Sequence, residues 1–196
     1  AAWHAAGWRD LTVAVNLSAV QFRHPRIMAD VLAALAASGL APEYLELELT
    51  ESLLLQNEAI VQQTVMAWKA KGIKLAIDDF GTGYSSLAYL KHFKVDKLKI
   101  DRSFILDIRQ DEEARAIVQA MIQIARSLNL RTIAAGVEEA AMAEQLQVMG
   151  CDEAQGYLYA KPLRAEDLFR WLQGRHLDPP ERTSGARRGD PVEHES

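Results

Sequence analysis

The chain has 196 residues, 49% of them apolar and 25% charged, which supplies the core of one globular domain and excludes both a disordered chain and a membrane span. A net charge of −5 with no Lys/Arg block excludes a general binder of phosphate backbones, so neither DNA nor RNA is expected as a partner. One cysteine, Cys151, rules out an internal disulfide and a cysteine-rich zinc site, and makes a reducing, cytoplasmic setting the default expectation.

The opening Ala1-Ala2-Trp3-His4 has neither an initiator Met nor a signal-peptide layout, which suggests a piece of a longer chain, one whose parent could be tethered to a membrane. Short apolar runs then alternate with helical patterns, as parallel strands joined by crossover helices require. The first run, Thr12 to Asn16, ends on a polar residue. A helix follows from Pro25 to Ser38, stopped by Gly39. In the second run, Leu45 to Thr50, alternation puts Leu45, Leu47 and Leu49 on one face and Glu46, Glu48 and Thr50 on the other. If helices cover the leucines, the carboxylates face the interior, and a positive partner must be waiting for them.

A helix over Asn57 to Lys71 leads to the third run, Ile73 to Ile77, and then to Asp78-Asp79-Phe80-Gly81-Thr82-Gly83. Adjacent aspartates beside a glycine loop supply hard oxygen ligands for Mg²⁺ or Mn²⁺; taken alone the pair is commoner in a turn or helix cap, and Asn16 and Glu48 at neighbouring strand ends reverse that. A short helix is expected over Ser85 to Leu90. The fourth run, Lys97 to Ile100, carries Lys97 and Lys99 on one face with Asp101 next along it. A lysine there balances charge, holds phosphate or orients water; Lys97 fits the protein surface as well.

Asp111 to Leu128 reads as a helix with acidic residues at its positive end. The fifth run, Arg131 to Ala135, leads into Gly136-Val137-Glu138. A helix over Ala140 to Met149 precedes the sixth run, Glu153 to Tyr157, and Ala165 to Gln173 is the last helix. Residues 1–174 are therefore expected as the domain, and 175–196, rich in Pro, Gly and charge, as a disordered tail. No nucleophile elbow, Walker loop or dinucleotide fingerprint is present, and the histidines lack metal-ligand spacing. Oxygen ligands at the C-terminal rim of a parallel α/β sheet or barrel remain the best reading.

Six motifs in order carry a family resemblance: Asn16-Leu17-Ser18-Ala19 with Gln21-Phe22; Glu48-Leu49-Thr50-Glu51-Ser52; Asp78 to Gly83; Lys97-Leu98-Lys99-Ile100-Asp101; Gly136-Val137-Glu138; and Gln155-Gly156-Tyr157 leading to Lys161-Pro162-Leu163. The chain resembles an EAL domain, the bacterial cyclic di-GMP phosphodiesterase domain. The resemblance implies a TIM-type barrel and two divalent cations, Mg²⁺ or Mn²⁺, serving hydrolysis to linear pGpG, with Ca²⁺ permitting binding without turnover.

Carried over by motif, Asn16, Glu48 and Asp78 look like ligands of one cation, and Asp79 and Glu138 of the second. Lys99 is similar to the lysine that positions water and phosphate, Gln155 to a supporting site residue, Glu51 to the glutamate that tethers the loop after Phe80, and Gln21 to a substrate-binding position. The loop from Phe80 to Ser86 is implicated in homodimers, and a sensor or GGDEF domain is expected upstream. Two departures stand out. The Glu-Ala-Leu segment is absent and would precede Ala1, and six strands over 174 residues fall short of an eight-stranded barrel of roughly 250. Ala135 also stands where the family has its proposed general base, a glutamate. Losing such a base costs about 10²–10⁴ in rate, which implies a crippled hydrolase, or a receptor or interaction module in its place.

Overall fold

The computed structural model of the chain describes residues 1–54, 58–83, 90 and 93–174. It divides into two units, Ala1–Lys161, which holds every strand, and Pro162–Ser196, whose described part contains a helix over Ala165–Gly174. The first unit contains a six-stranded, fully parallel sheet in the order β1-β2-β3-β4-β5-β6, an α/β half-barrel. The strands are β1 (Val13–Leu17), β2 (Leu45–Thr50), β3 (Lys74–Phe80), β4 (Lys97–Ile100), β5 (Arg131–Ala135) and β6 (Glu153–Gln155).

Apolar alternation decides which face each strand shows the helices. Leu47, Leu49, Leu75, Ile77, Leu98 and Ile100 are all essentially inaccessible and belong to one core with the covering helices. Helix Glu58–Ala70 contributes Val61, Val65 and Trp68, spaced to lie along one stripe. Helix Glu112–Ser127 contributes Val118, Met121, Ile122 and Ala125, with Asp111 capping its start by accepting from the Glu113 amide at 2.8 Å. Gly39, at φ +67°, ends helix Ile27–Ser38 in the left-handed conformation that a side chain would disfavour.

Three strands depart from sequence expectation in their bounds. β1 lies one residue later than Thr12 to Asn16. β3 runs on past Ile77 through both aspartates to Phe80, because a bulge rather than a turn accommodates them. β6 stops at Gln155 instead of Tyr157, since the chain turns onto the segment after β5: Val137 donates to the Gln155 carbonyl at 2.9 Å and accepts from the Leu158 amide at 3.1 Å. Gly156 permits this approach, for a Cβ there would fall 2.0 Å from the Val137 carbonyl oxygen. The helix expected over 85–90, apart from buried Leu90, and the tail expected over 175–196 lie outside the described residues.

Trp68 is wholly buried and meets Phe22 edge-on with ring centroids 5.3 Å apart, while its indole nitrogen finds no acceptor among the described residues. Trp68→Ala should therefore lower unfolding free energy by about 3–5 kcal/mol in urea denaturation. Trp68→Phe should cost clearly less, since the lost N–H leaves no partner unpaired.

Candidate functional site

The inner face of the half-barrel carries the charged residues. On β2 these are Glu46 and Glu48, 4% and 7% exposed; on β4 they are Lys97 and Lys99, 7% and 8% exposed. The positive partners anticipated from the alternation of β2 thus sit two strands away, reaching across β3. Lys99 Nζ donates to Glu48 Oε2 at 2.8 Å and to Asp78 Oδ2 at 3.3 Å. Burial alone would depress the Lys99 ammonium, but the hydrogen bond and charge of Glu48, reinforced by Asp78, outweigh it and hold the pKa above its ordinary value.

Asn16, at the end of β1, completes this group. Its amide is satisfied with the nitrogen turned inward, where Nδ2 donates to Glu48 Oε2 at 3.0 Å and to Asp78 Oδ2 at 3.1 Å. An amide oxygen in that position would face only acceptors, and a cation is what reconciles three converging oxygens. A half-turn of one amide therefore converts the group from a hydrogen-bonded cluster into a ligand set of two carboxylates and a carbonyl, and the residues fit a hard divalent ion. Among the described residues, no three His, Cys, Asp or Glu side chains gather closely enough to hold an ion by themselves, so the amide is needed.

The bulge in β3 brings the second aspartate to the rim. Ile77 pairs with Leu98 and Phe80 with Ile100, so Asp78 and Asp79 together oppose Lys99 alone. Asp79 takes up the extra residue in the left-handed region, φ +55°, which aspartate tolerates better than most side chains. Partial desolvation, followed by the charges of Asp78 and Asp101, raises the Asp79 pKa, with Lys99 opposing them. Asp101 caps helix Arg102–Ile105 by accepting from the Ser103 amide at 3.0 Å, and its charge still reaches Asp79 at the rim.

The remaining expected residues are spread around this nucleus. Glu51, 2% exposed, accepts from the Gly81 amide at 2.8 Å, and its free oxygen approaches Gly83 so closely that a Cβ there would lie 2.6 Å away. Phe80 is buried, and residues 84–86 of the same loop lie outside the described residues. Ala135 and Gln155 are register partners at the ends of β5 and β6. Glu138 stands apart from Glu48 and Asp78 in an ion pair, accepting from Arg102 Nη2 at 2.7 Å. Gln21 caps the short helix Ala19–Phe22: its Oε1 accepts from the Ser18 amide at 3.0 Å while its own amide donates to Ser18 Oγ at 3.2 Å. That capping box was readable from Ser-x-x-Gln. Arg102 had no sequence signal, and Lys97 lies beneath the rim instead of at the surface.

Residues 1–162 match the family model described as EAL domain. A bifunctional diguanylate cyclase/cyclic di-GMP phosphodiesterase, MucR of Pseudomonas aeruginosa, is 43% identical over 85% of this chain and 24% of its own length. Its phosphodiesterase, solved with cyclic di-GMP, matches at a TM-score of 0.82 and 42% identity over 85% of this chain and 68% of that one. Klebsiella pneumoniae BlrP1, solved with manganese and cyclic di-GMP, matches at 0.72 and 33% identity over 77% of this chain and 39% of that one. The chain spans only a fifth to a quarter of the length of the first curated relatives it matches.

Lys99→Met removes the one ammonium shared by Glu48 and Asp78. In EDTA, urea denaturation of this variant should show a loss of about 3–5 kcal/mol, the usual consequence of leaving buried carboxylates unpaired.

Proposed function

The chain belongs to the EAL domain family, and we propose that it is the cyclic di-GMP phosphodiesterase domain of a larger signalling protein, impaired by Ala135. The convergence of Asn16, Glu48, Asp78 and Lys99 on one rim carries this reading. Asn16, Glu48 and Asp78 would hold one divalent cation, Mg²⁺ or Mn²⁺, and Asp79 with Glu138 the second. When bound, such ions supply charge neutralisation to the phosphodiester and a lowered pKa to water.

The side chains themselves do the positioning. Glu48 and Asp78 both accept from Lys99, and their charges hold its ammonium protonated at the rim. Lys99 in turn presents an ammonium to a phosphate oxygen or to the attacking water. Glu51 fixes the backbone after β3 through the Gly81 amide, which holds Asp79 where the bulge places it. Gln155 lines the rim next to Ala135, and Gln21, at the first turn after β1, is the proposed contact to the dinucleotide.

The methyl of Ala135 accepts no proton and binds no cation, so the step that needs a base is slow. The same observation favours a second reading, a receptor that binds cyclic di-GMP without cutting it or an interaction module. A GGDEF or sensor domain elsewhere in the parent and a second copy meeting the loop from Phe80 to Ser86 are the proposed partners. The proposed setting is cytoplasmic; among the described residues no helix is long and apolar enough to cross a membrane.

With Mn²⁺ and cyclic di-GMP, the whole protein should release pGpG slowly, and Ala135→Glu should accelerate release by about 10²-fold or more, followed by chromatography. Brisk turnover with Ala135 in place would refute impairment. Tight binding in Ca²⁺ with no rescue by the glutamate would establish the receptor.

A further inference from the structure

Beneath the rim lies a second charged layer that the proposed chemistry does not use. Lys97 Nζ stands 2.7 Å from Glu153 Oε2 on β6, and 3.1 Å and 3.3 Å from the two carboxylate oxygens of Glu46 on β2. Arg131 Nη1 closes the layer at 3.0 Å from Glu153 Oε1. Lys97 therefore links three alternate strands, β2, β4 and β6. One interior position further along, those strands present Glu48, Lys99 and Gln155, the residues of the rim. The lower layer repeats the geometry of the upper one, a β4 lysine reaching over β3 to a β2 glutamate.

The strand between β2 and β4 leaves room for both crossings. Ala76 is the interior residue of β3 between the two layers; it registers with Glu48 on one side and Lys97 on the other and is 1% exposed. Barrel interiors are ordinarily filled at such positions by branched aliphatic side chains. Here a small residue lets the lysine stems pass over β3, so the interior contact between β2 and β4 is made by ion pairs instead of by packed methyl groups.

We infer that Lys97 is a positioning residue: by holding Glu46 and Glu153 it fixes β2, β4 and β6 at the spacing and stagger that let Lys99 meet Glu48 above. Its effect on cation binding rests on the proposed function, whereas its effect on Lys99 does not. A charged pair buried this deeply gives little net stability over an apolar pair, so a purely stabilising role is the weaker explanation of it.

The test uses the 196-residue chain with ¹⁵N-labelled lysine. The protected Nζ signal of Lys99 is assigned by its loss in Lys99→Met. In Lys97→Met, and in the double variant E46Q/K97M, which avoids stranding the Glu46 charge, that signal should broaden or vanish in metal-free protein while far-ultraviolet circular dichroism is unchanged. Calorimetric Mn²⁺ affinity should fall by about 10-fold, the usual scale for an outer positioning partner, and Lys97→Arg should restore most of it. A Lys99 signal unchanged in both variants overturns the inference even if their melting temperatures drop. A wild-type chain that takes no Mn²⁺ overturns the proposed function alone, and the Lys99 signal then decides the positioning role.

Discussion

A carboxylate on the covered inner face of a parallel sheet must find a cation or give up its charge, and the rest of this molecule follows from how Glu46 and Glu48 meet that constraint. Moving either into the interior unpaired would cost several kcal/mol. The β4 lysines answer it, one for each glutamate, and in doing so they tie together strands that share no backbone hydrogen bonds. The upper pair stays close enough to the open rim for Asn16 and Asp78 to join it, whereas the lower pair is joined by Glu153 and, through it, by Arg131. The same chemistry thus gives a buried ion-pair layer at one level and an open polar rim at the next.

Backbone geometry supplies what side-chain pairing alone does not. An unbulged β3 would send Asp78 and Asp79 to opposite faces of the sheet. The extra residue at the bulge sets both against Lys99, and a left-handed Asp79 costs on the order of 1–2 kcal/mol. Glu51 offsets this by accepting from the Gly81 amide immediately beyond, inside a pocket where its carboxylate is nearly inaccessible. Partial burial, then the charges of Asp78 and Asp101, raise the Asp79 pKa, which marks a position that gains from any added positive charge.

Strand alternation made much of this legible. Leu45 to Thr50 announced both the covered face and the interior glutamates, and Lys97 with Lys99 announced a same-face pair. The pairing itself was not legible, because Glu48 is in register with Ala76 and Ala76 with Lys97, yet Glu48 bonds Lys99. That two-residue offset comes from the tilt of the strands, which no single strand encodes. The bulge was hidden for a related reason: two adjacent aspartates before a glycine break the period-two pattern and look like a turn. Arg102 was invisible because its partner, Glu138, lies 36 positions away on a different βα unit.

Ala135 sits at the end of β5, one strand over from Lys99 and beside Gln155. A glutamate in its place would add a negative charge to a rim that already holds Glu48, Asp78, Asp79 and Asp101, against which only Lys99 and the half-exposed Arg102 stand as nearby described cations on β4 and the helix after it. With cations bound, that added charge is useful; without them it is repulsive. The methyl group spares the rim that repulsion, and on the proposed reading it also removes the base, the usual direction of exchange between activity and stability. Glu138 follows the same logic: Arg102 balances its charge as Lys99 balances Glu48 and Asp78, so side chains of the chain itself meet these carboxylates.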